Sequence, residues 1–312
     1  MATIFLTGGT GFIGSHIVEA LLEQGHQLRV LTSNSSIHPN IKPYQERLQL
    51  LRGDFGDQQL MEKHLQGVEY LIHVAWTTVP KTATENPIYD AQSNLIGGLH
   101  LLEAAVTVNV KKVLFISTGG ALYGIPQYVP VDEAHPLHPI SAYGTSKLSF
   151  ERYLHFYYNN RGLDYSIFRI ANAYGPRQNL TKNQGVIGIW LQKIQQQQAI
   201  EIWGDGSVVR DYIYVADVAQ LIVQSLTYQG EIKIFNVGSG QGYSLNEILT
   251  ACQRVSQQQT SVQYLEGRAF DVPVNILSIE RVQAVLDWSP STSLEEGIQA
   301  TWDWLLGCCY KK

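Results

Sequence analysis

Residues 3–14 read Thr3-Ile4-Phe5-Leu6-Thr7-Gly8-Gly9-Thr10-Gly11-Phe12-Ile13-Gly14, and this stretch decides the fold. A β-branched and apolar run ends at Thr7, glycines follow at 8, 11 and 14, and residues 15–23 carry apolar side chains at helical spacing. A strand that turns at once into a helix needs glycine, because the backbone must turn tightly and approach a ligand closely. The free amides and positive end of that helix suit a pyrophosphate. A glycine triplet alone is weak evidence; opening a strand–turn–helix unit, it marks a dinucleotide site.

Outward from it, residues 27–32, 70–74 and 113–117 read as further buried strands, with helical patterns at 58–65 and 92–108 between them. This βαβ series predicts an α/β, Rossmann-type, doubly wound parallel sheet. Strands at 166–170 and 233–237 follow, separated by a stretch at 174–203 that reads as irregular. From Asn172 the alternation weakens. The expected organisation is a dinucleotide-binding domain over 1–171, with returning segments at about 205–240, and a smaller substrate lobe from about 172–204 and 241–312.

With 312 residues, 45% of them hydrophobic, the chain can bury a full core. Its 22 basic and 27 acidic residues give a net charge of -5 without a long like-charge block, so no nucleic-acid face is expected. Cys252, Cys308 and Cys309 form no spaced framework and read as reduced thiols. The chain opens directly on a strand, with no signal-peptide pattern and no membrane-length apolar run, so a cytoplasmic location without a membrane partner is expected.

A NAD site places an acidic residue at the tip of the second strand, where it accepts a hydrogen bond from the adenosine ribose. Here the tip is Thr32, followed by Ser33, Asn34 and two serines. No carboxylate repels a 2′-phosphate and no arginine attracts one: NAD is the expected cofactor, and NADP is permitted. Asp54, after the third strand, either meets the adenine edge or holds a surface turn.

Tyr143-Gly144-Thr145-Ser146-Lys147 follows Pro139 and Ser141, a helix start, so Tyr143 and Lys147 fall one turn apart on one face. An ammonium beside the phenol, with a cationic nicotinamide nearby, favours phenolate and lowers the tyrosine pKa. Tyr143 can then take a proton from a sugar hydroxyl as hydride leaves its carbon.

These residues resemble the extended short-chain dehydrogenases/reductases of the NAD-dependent epimerase/dehydratase family, above all the UDP-glucose 4-epimerase branch. The likeness runs from Thr7–Gly14 through His73-Val74-Ala75, Asn94 with Gly97, and Arg169-Ile170-Ala171-Asn172. It continues through Gly204-Asp205-Gly206, the run from Arg210-Asp211-Tyr212 to Asp217, and Phe235-Asn236-Val237-Gly238. It implies a dinucleotide site of Gly8, Gly11, Phe12, Ile13, Gly14, Thr32, Ser33, Asp54, Phe55, Val74, Ala75, Asn94, Ser117, Tyr143, Lys147 and Ile170. It implies that Asn172, Arg210 and Arg268 hold the nucleotide diphosphate, with Asp271 near the uridine ribose. It also implies a homodimer built on helices at about 142–160 and 92–108.

The pattern departs at Ser117-Thr118-Gly119-Gly120-Ala121. Relatives place a hydroxyl at the position of Gly119, or at that of Ala121, to hydrogen-bond the reacting group. Thr118 is the expected substitute, which puts Thr118, Gly119 and Tyr143 against the substrate. Family 4,6-dehydratases carry an Asp-Glu pair where Gly120 and Ala121 stand, so dehydratase activity is not expected. Asn275, by the resemblance, borders the sugar and is small enough to admit an N-acetyl group.

Three activities follow. The first is 4-epimerisation of a UDP-hexose or UDP-N-acetylhexosamine with bound NAD. The second is NADPH-dependent reduction of a nucleotide-linked 4-keto sugar, which the missing acidic residue favours. The third is a non-catalytic redox sensor.

Overall fold

The computed structural model describes residues 1–33, 38–180, 185–267 and 272–309. Its elements, in chain order, begin with β1 (Thr3–Thr7), α1 (Phe12–Glu23), β2 (Gln27–Thr32), β3 (Gln49–Arg52), α2 (Gln58–His64) and β4 (Tyr70–His73). Next come α3 (Pro80–Glu85), α4 (Pro87–Asp90), α5 (Gly97–Thr107), β5 (Lys112–Thr118), α6 (Ala142–Arg161) and β6 (Asp164–Ile170). β7 (Asn172–Tyr174), α7 (Val186–Gln195), β8 (Ile200–Trp203), β9 (Val209–Tyr214), α8 (Val215–Gln224) and β10 (Ile234–Val237) follow. The chain ends with β11 (Gly242–Ser244), α9 (Leu245–Ser256), β12 (Val262–Leu265), β13 (Val274–Asn275), α10 (Glu280–Leu286) and α11 (Leu294–Cys309).

Two compact units result. Met1–Gly124, Pro136–Ile170 and Ala219–Phe235 make the first; Ile125–His135, Ala171–Val218 and Asn236–Lys312 make the second. Of the segment 205–240, only Ala219–Phe235 lies in the first unit.

The first unit is built on a seven-stranded sheet in the order β10-β6-β5-β4-β1-β2-β3. Pairings from β3 through β6 are all parallel. This is the Rossmann-type α/β architecture expected from the βαβ series. Along β1 side chains alternate between faces. Phe5 joins Leu71, Val113 and Phe115 against Met61 of α2, Leu101 of α5, and Phe150 and Leu154 of α6. Ile4 and Leu6 are buried as well, as are Ile17, Val18 and Leu21 of α1. A π turn over Ala91–Ile96 joins α4 to α5.

The second unit holds a small sheet, β11-β9-β13 with β7 also on β9, and the parallel pair β12-β8. Its core joins Ile187, Trp190, Leu191 and Ile194 of α7 to Ile248 and Cys252 of α9 and Ile298 and Trp302 of α11. The stretch 174–203, read as irregular, is corrected here. It contains α7 and β8, because the apolar residues at 187, 190, 191 and 194 form a buried helical stripe. Cys252 is a buried free thiol, and the side chains of Cys308 and Cys309 lie outside the described residues. Among the described residues no helix is long and apolar enough to cross a membrane.

Candidate active site

The glycine turn has the geometry its sequence requires. Gly8 has φ +74°, and a Cβ there would stand 2.6 Å from the Ala75 nitrogen; at Gly14 it would stand 2.1 Å from the Gly8 carbonyl oxygen. No larger residue fits either place. The N-cap of α1 is Gly11, no side chain caps the helix, and its first turn carries no acidic residue, so no carboxylate competes for the amides. The turn thus fits a dinucleotide pyrophosphate. Phe12 and Ile13 are half-buried at the helix start, and Val74 and Ala75 lie half-buried after β4. The Ala75 amide donates to Thr7 Oγ1 (3.3 Å), which also meets His73 Nδ1 at 2.7 Å. Burial, with the Lys147 charge adding to it, pulls His73 down to about 3, so the imidazole is neutral.

Thr32 is buried at the tip of β2, with Ser33 exposed beside it. Asp54 Oδ1 accepts from the Gly56 amide (2.8 Å), the surface-turn role. The Phe55 ring is core, edge-on to His73 at 5.3 Å. Asn94 is buried. Its Nδ2 donates to Thr78 and Asp90 (3.1 and 3.0 Å), and its Oδ1 accepts from the Thr77 amide (2.7 Å) and hydroxyl (3.0 Å). Its amide is thus saturated as a clamp on the segment after β4. The Ser117 hydroxyl donates to Glu151 (2.6 Å) inside the core.

Helix α6 starts where Ser141 Oγ accepts from the Gly144 amide, and ends at Gly162 in the left-handed region, φ +69°. On its first turns Tyr143 is half-buried and Lys147 buried. Lys147 Nζ donates to the Ile116 carbonyl of β5 (2.7 Å) and sits 5.8 Å from the Tyr143 ring centre. Burial pulls Lys147 down to about 7, against Glu151 and Asp90, which favour its charged form. Burial and the Asp90 carboxylate push the Tyr143 phenol well above its ordinary value. Desolvation and Asp90 both oppose the phenolate, so the lowering expected of Tyr143 falls to the ammonium and the cationic nicotinamide together.

Thr118 Oγ1 accepts from the Gly120 amide (3.2 Å), and the Gly119 amide pairs with the Ile170 carbonyl, closing the end of β5 onto β6. A hydroxyl that accepts there still has its proton to donate.

Sequence reasoning missed the groups behind this pair. Glu151, one turn after Lys147 on α6, binds Arg169 through Nη2 (2.7 Å) and Nε (3.2 Å), and Arg169 Nη1 donates to the Tyr123 hydroxyl (3.0 Å). Asp90 accepts from Ser146 (2.5 Å) as well as from Asn94 and Thr78. Their i, i+4 spacings, Lys147 to Glu151 and Asp90 to Asn94, were the available signal.

In the second unit, β7, β9 and β13 bring Asn172, Arg210 and Asn275 together: Asn172 registers with Tyr212 and Asn275 with Arg210. Asn172 Nδ2 donates to the Asp211 carbonyl (3.0 Å), and Arg210 Nη1 to the carbonyls of Val209 (2.9 Å) and Val272 (2.6 Å). Asn275 is buried. Arg268 and Asp271 lie outside the described residues.

A parallel sheet with a glycine turn after its first strand and a Tyr-Lys pair on the helix after its fifth defines a nucleotide-binding protein of the short-chain dehydrogenase/reductase class. The model of the NAD dependent epimerase/dehydratase family matches residues 4–238, and the chain belongs to that family. It is 36% identical over 304 residues to a putative UDP-glucose 4-epimerase of Methanocaldococcus jannaschii, covering 97% of this chain and 98% of the relative. It is 30% identical over 302 residues to a dTDP-4-dehydro-6-deoxyglucose reductase of Escherichia coli, covering 95% of each. The crystal structure of Thermotoga maritima UDP-glucose 4-epimerase with UDP-glucose superposes with a TM-score of 0.93 at 34% identity, covering 98% of this chain and 99% of that one.

Proposed function

We propose that the chain is a UDP-sugar 4-epimerase that works with bound NAD. The observation that carries this reading is the Tyr143–Lys147 pair, one turn apart on α6, with Lys147 anchored to the Ile116 carbonyl. When bound, NAD would supply a hydride acceptor able to return the hydride to the same carbon. Tyr143 takes the 4-hydroxyl proton and gives it back, so the cycle leaves no net redox change. Lys147 favours the phenolate, and Thr118 donates to the reacting oxygen in place of the hydroxyls absent at Gly119 and Ala121. Asn172, Arg210 and Arg268 hold the diphosphate, with Asp271 at the ribose; guanidinium forks suit phosphate oxygens. Asn275 borders the sugar and admits an N-acetyl group. The first unit binds the dinucleotide, and the second is the substrate lobe. Gly120 and Ala121 supply no acid or base, so water is not eliminated.

The test incubates purified protein with UDP-glucose, UDP-galactose and their N-acetyl counterparts. Interconversion to a fixed ratio with no net change in nicotinamide absorbance is expected. Stoichiometric NADPH oxidation with a 4-keto sugar would replace this reading with the reductase. That second reading has the uncharged Thr32 tip and the reductase relative in its favour. Formation of a 4-keto-6-deoxy sugar would overturn the exclusion of dehydration.

A homodimer belongs to the same proposal. Ile96, just before α5, and Tyr153, Phe156 and Tyr158 on α6 are large apolar side chains left exposed on the two segments expected to pair. Light scattering is expected to give twice the chain mass; a monomer at micromolar concentration would exclude it.

A further inference from the structure

Nothing in the motifs assigns Trp76, which stands three residues beyond β4. In the fold its indole is the nearest aromatic face to the Lys147 ammonium, with Nζ 4.0 Å from the ring centre, against 4.6 Å for Phe115. The Tyr143 ring meets it edge-on at 6.2 Å and 77°. Phe115 and Phe150 also pack against the indole, at 6.0 and 6.2 Å. Its own Nε1–H is buried without a hydrogen-bond partner, so packing rather than a hydrogen bond holds it in place.

An ammonium has three donors, and Ile116 takes one. The charged groups around it are engaged elsewhere. Glu151 is paired with Arg169 and Ser117, Asp90 accepts from Ser146, Asn94 and Thr78, and His73 is neutral. A desolvated cation beside tryptophan, the best of the π faces, is stabilised by that face.

We propose that Trp76 is a positioning residue for the Tyr143–Lys147 pair: its face keeps the Lys147 side chain charged and in place, and its near-perpendicular contact fixes the Tyr143 ring. The proposal rests on the epimerase reading only for its kinetic consequence. Without the indole, the ammonium loses its proton at lower pH. Because Lys147 acts in its charged form, the alkaline limb of kcat moves down, by about one pH unit for a buried cation–π contact of typical strength. Substrate KM is unaffected.

Two measurements test this. In wild-type protein labelled with 15N,13C-lysine, and with the signal assigned through Lys147→Arg, the ε-protons of Lys147 are expected to be shifted upfield by the ring, and Nζ is titrated directly. Trp76→Leu is expected to lower that titration by about one pH unit, and Trp76→Phe to restore most of it. The kcat–pH profiles should follow the same order. Unshifted ε-protons would overturn the proposal, as would a Trp76→Leu rate that is merely scaled equally at every pH. The labelled wild type decides even if the leucine variant fails to fold. Should no UDP-sugar be converted, the epimerase reading falls while the lysine titration still judges Trp76.

Discussion

Tyr143→Phe is expected to lower kcat for UDP-sugar epimerisation by about 10²–10⁴-fold while leaving the melting temperature near wild type. The variant removes one hydroxyl from a half-buried ring whose contacts, Trp76 at its edge and Lys147 nearby, are made by the ring itself. What it deletes is the only proton acceptor that the reading places at the 4-hydroxyl. The pH dependence follows from the two shifts. Burial and Asp90 hold the phenol protonated through the neutral range, so the rate rises with pH as the phenolate fraction grows. Lys147 works in the opposite sense: lowered to about 7, its ammonium is present below that pH and lost above it. The positive charge of the oxidised nicotinamide is the remaining influence that lowers the phenol; with it in place the rate is expected to rise as the phenolate forms and to fall again as Lys147 loses its proton. Initial rates across pH with both proteins check this. A Tyr143→Phe enzyme that retained more than a tenth of wild-type kcat would remove Tyr143 from the reaction.

The parts of the fold legible in the sequence are those whose pattern has one physical cause. β1 and α1 were readable because Gly8 and Gly14 each occupy a place where a Cβ collides with backbone. The start of α6 was readable because Ser141 caps it. The pair on its first turns was readable because four residues of helix bring Tyr143 and Lys147 onto one face. Helix α7 was not read, although its stripe at Ile187, Trp190, Leu191 and Ile194 is periodic, because the neighbouring glycines and glutamines weigh toward a loop. Trp76, Glu151 and the pairing role of Arg169 stayed invisible for a different reason. Their partners come from β5, β6 and α6, and only the parallel sheet brings those elements together. Asn94 shows the converse: its motif is legible in the sequence, but the partners of its amide, Thr77, Thr78 and Asp90, are not.

Arg169→Met is expected to cost about 3–5 kcal/mol of stability, since it leaves the Glu151 carboxylate buried without its partner. Both side chains of the pair are only 2% exposed, so water cannot replace the guanidinium. For a chain of this size the melting temperature should fall on the order of 10 °C. The loss reaches the site because the pair joins its walls: Glu151 stands on α6 one turn from Lys147, Ser117 on β5 donates to it, and Arg169 on β6 reaches on to Tyr123. Activity per folded molecule should therefore drop even at temperatures where the variant stays folded. The companion Glu151→Leu strands the opposite charge and is expected to be about as damaging. The double variant, which removes both charges and keeps the volume apolar, should recover much of the stability, because a buried pair contributes little over a well-packed apolar one. Additive losses in the double variant, measured by thermal and urea unfolding, would instead show that each residue acts through separate contacts and that the pair does not bind β5, β6 and α6 as one unit.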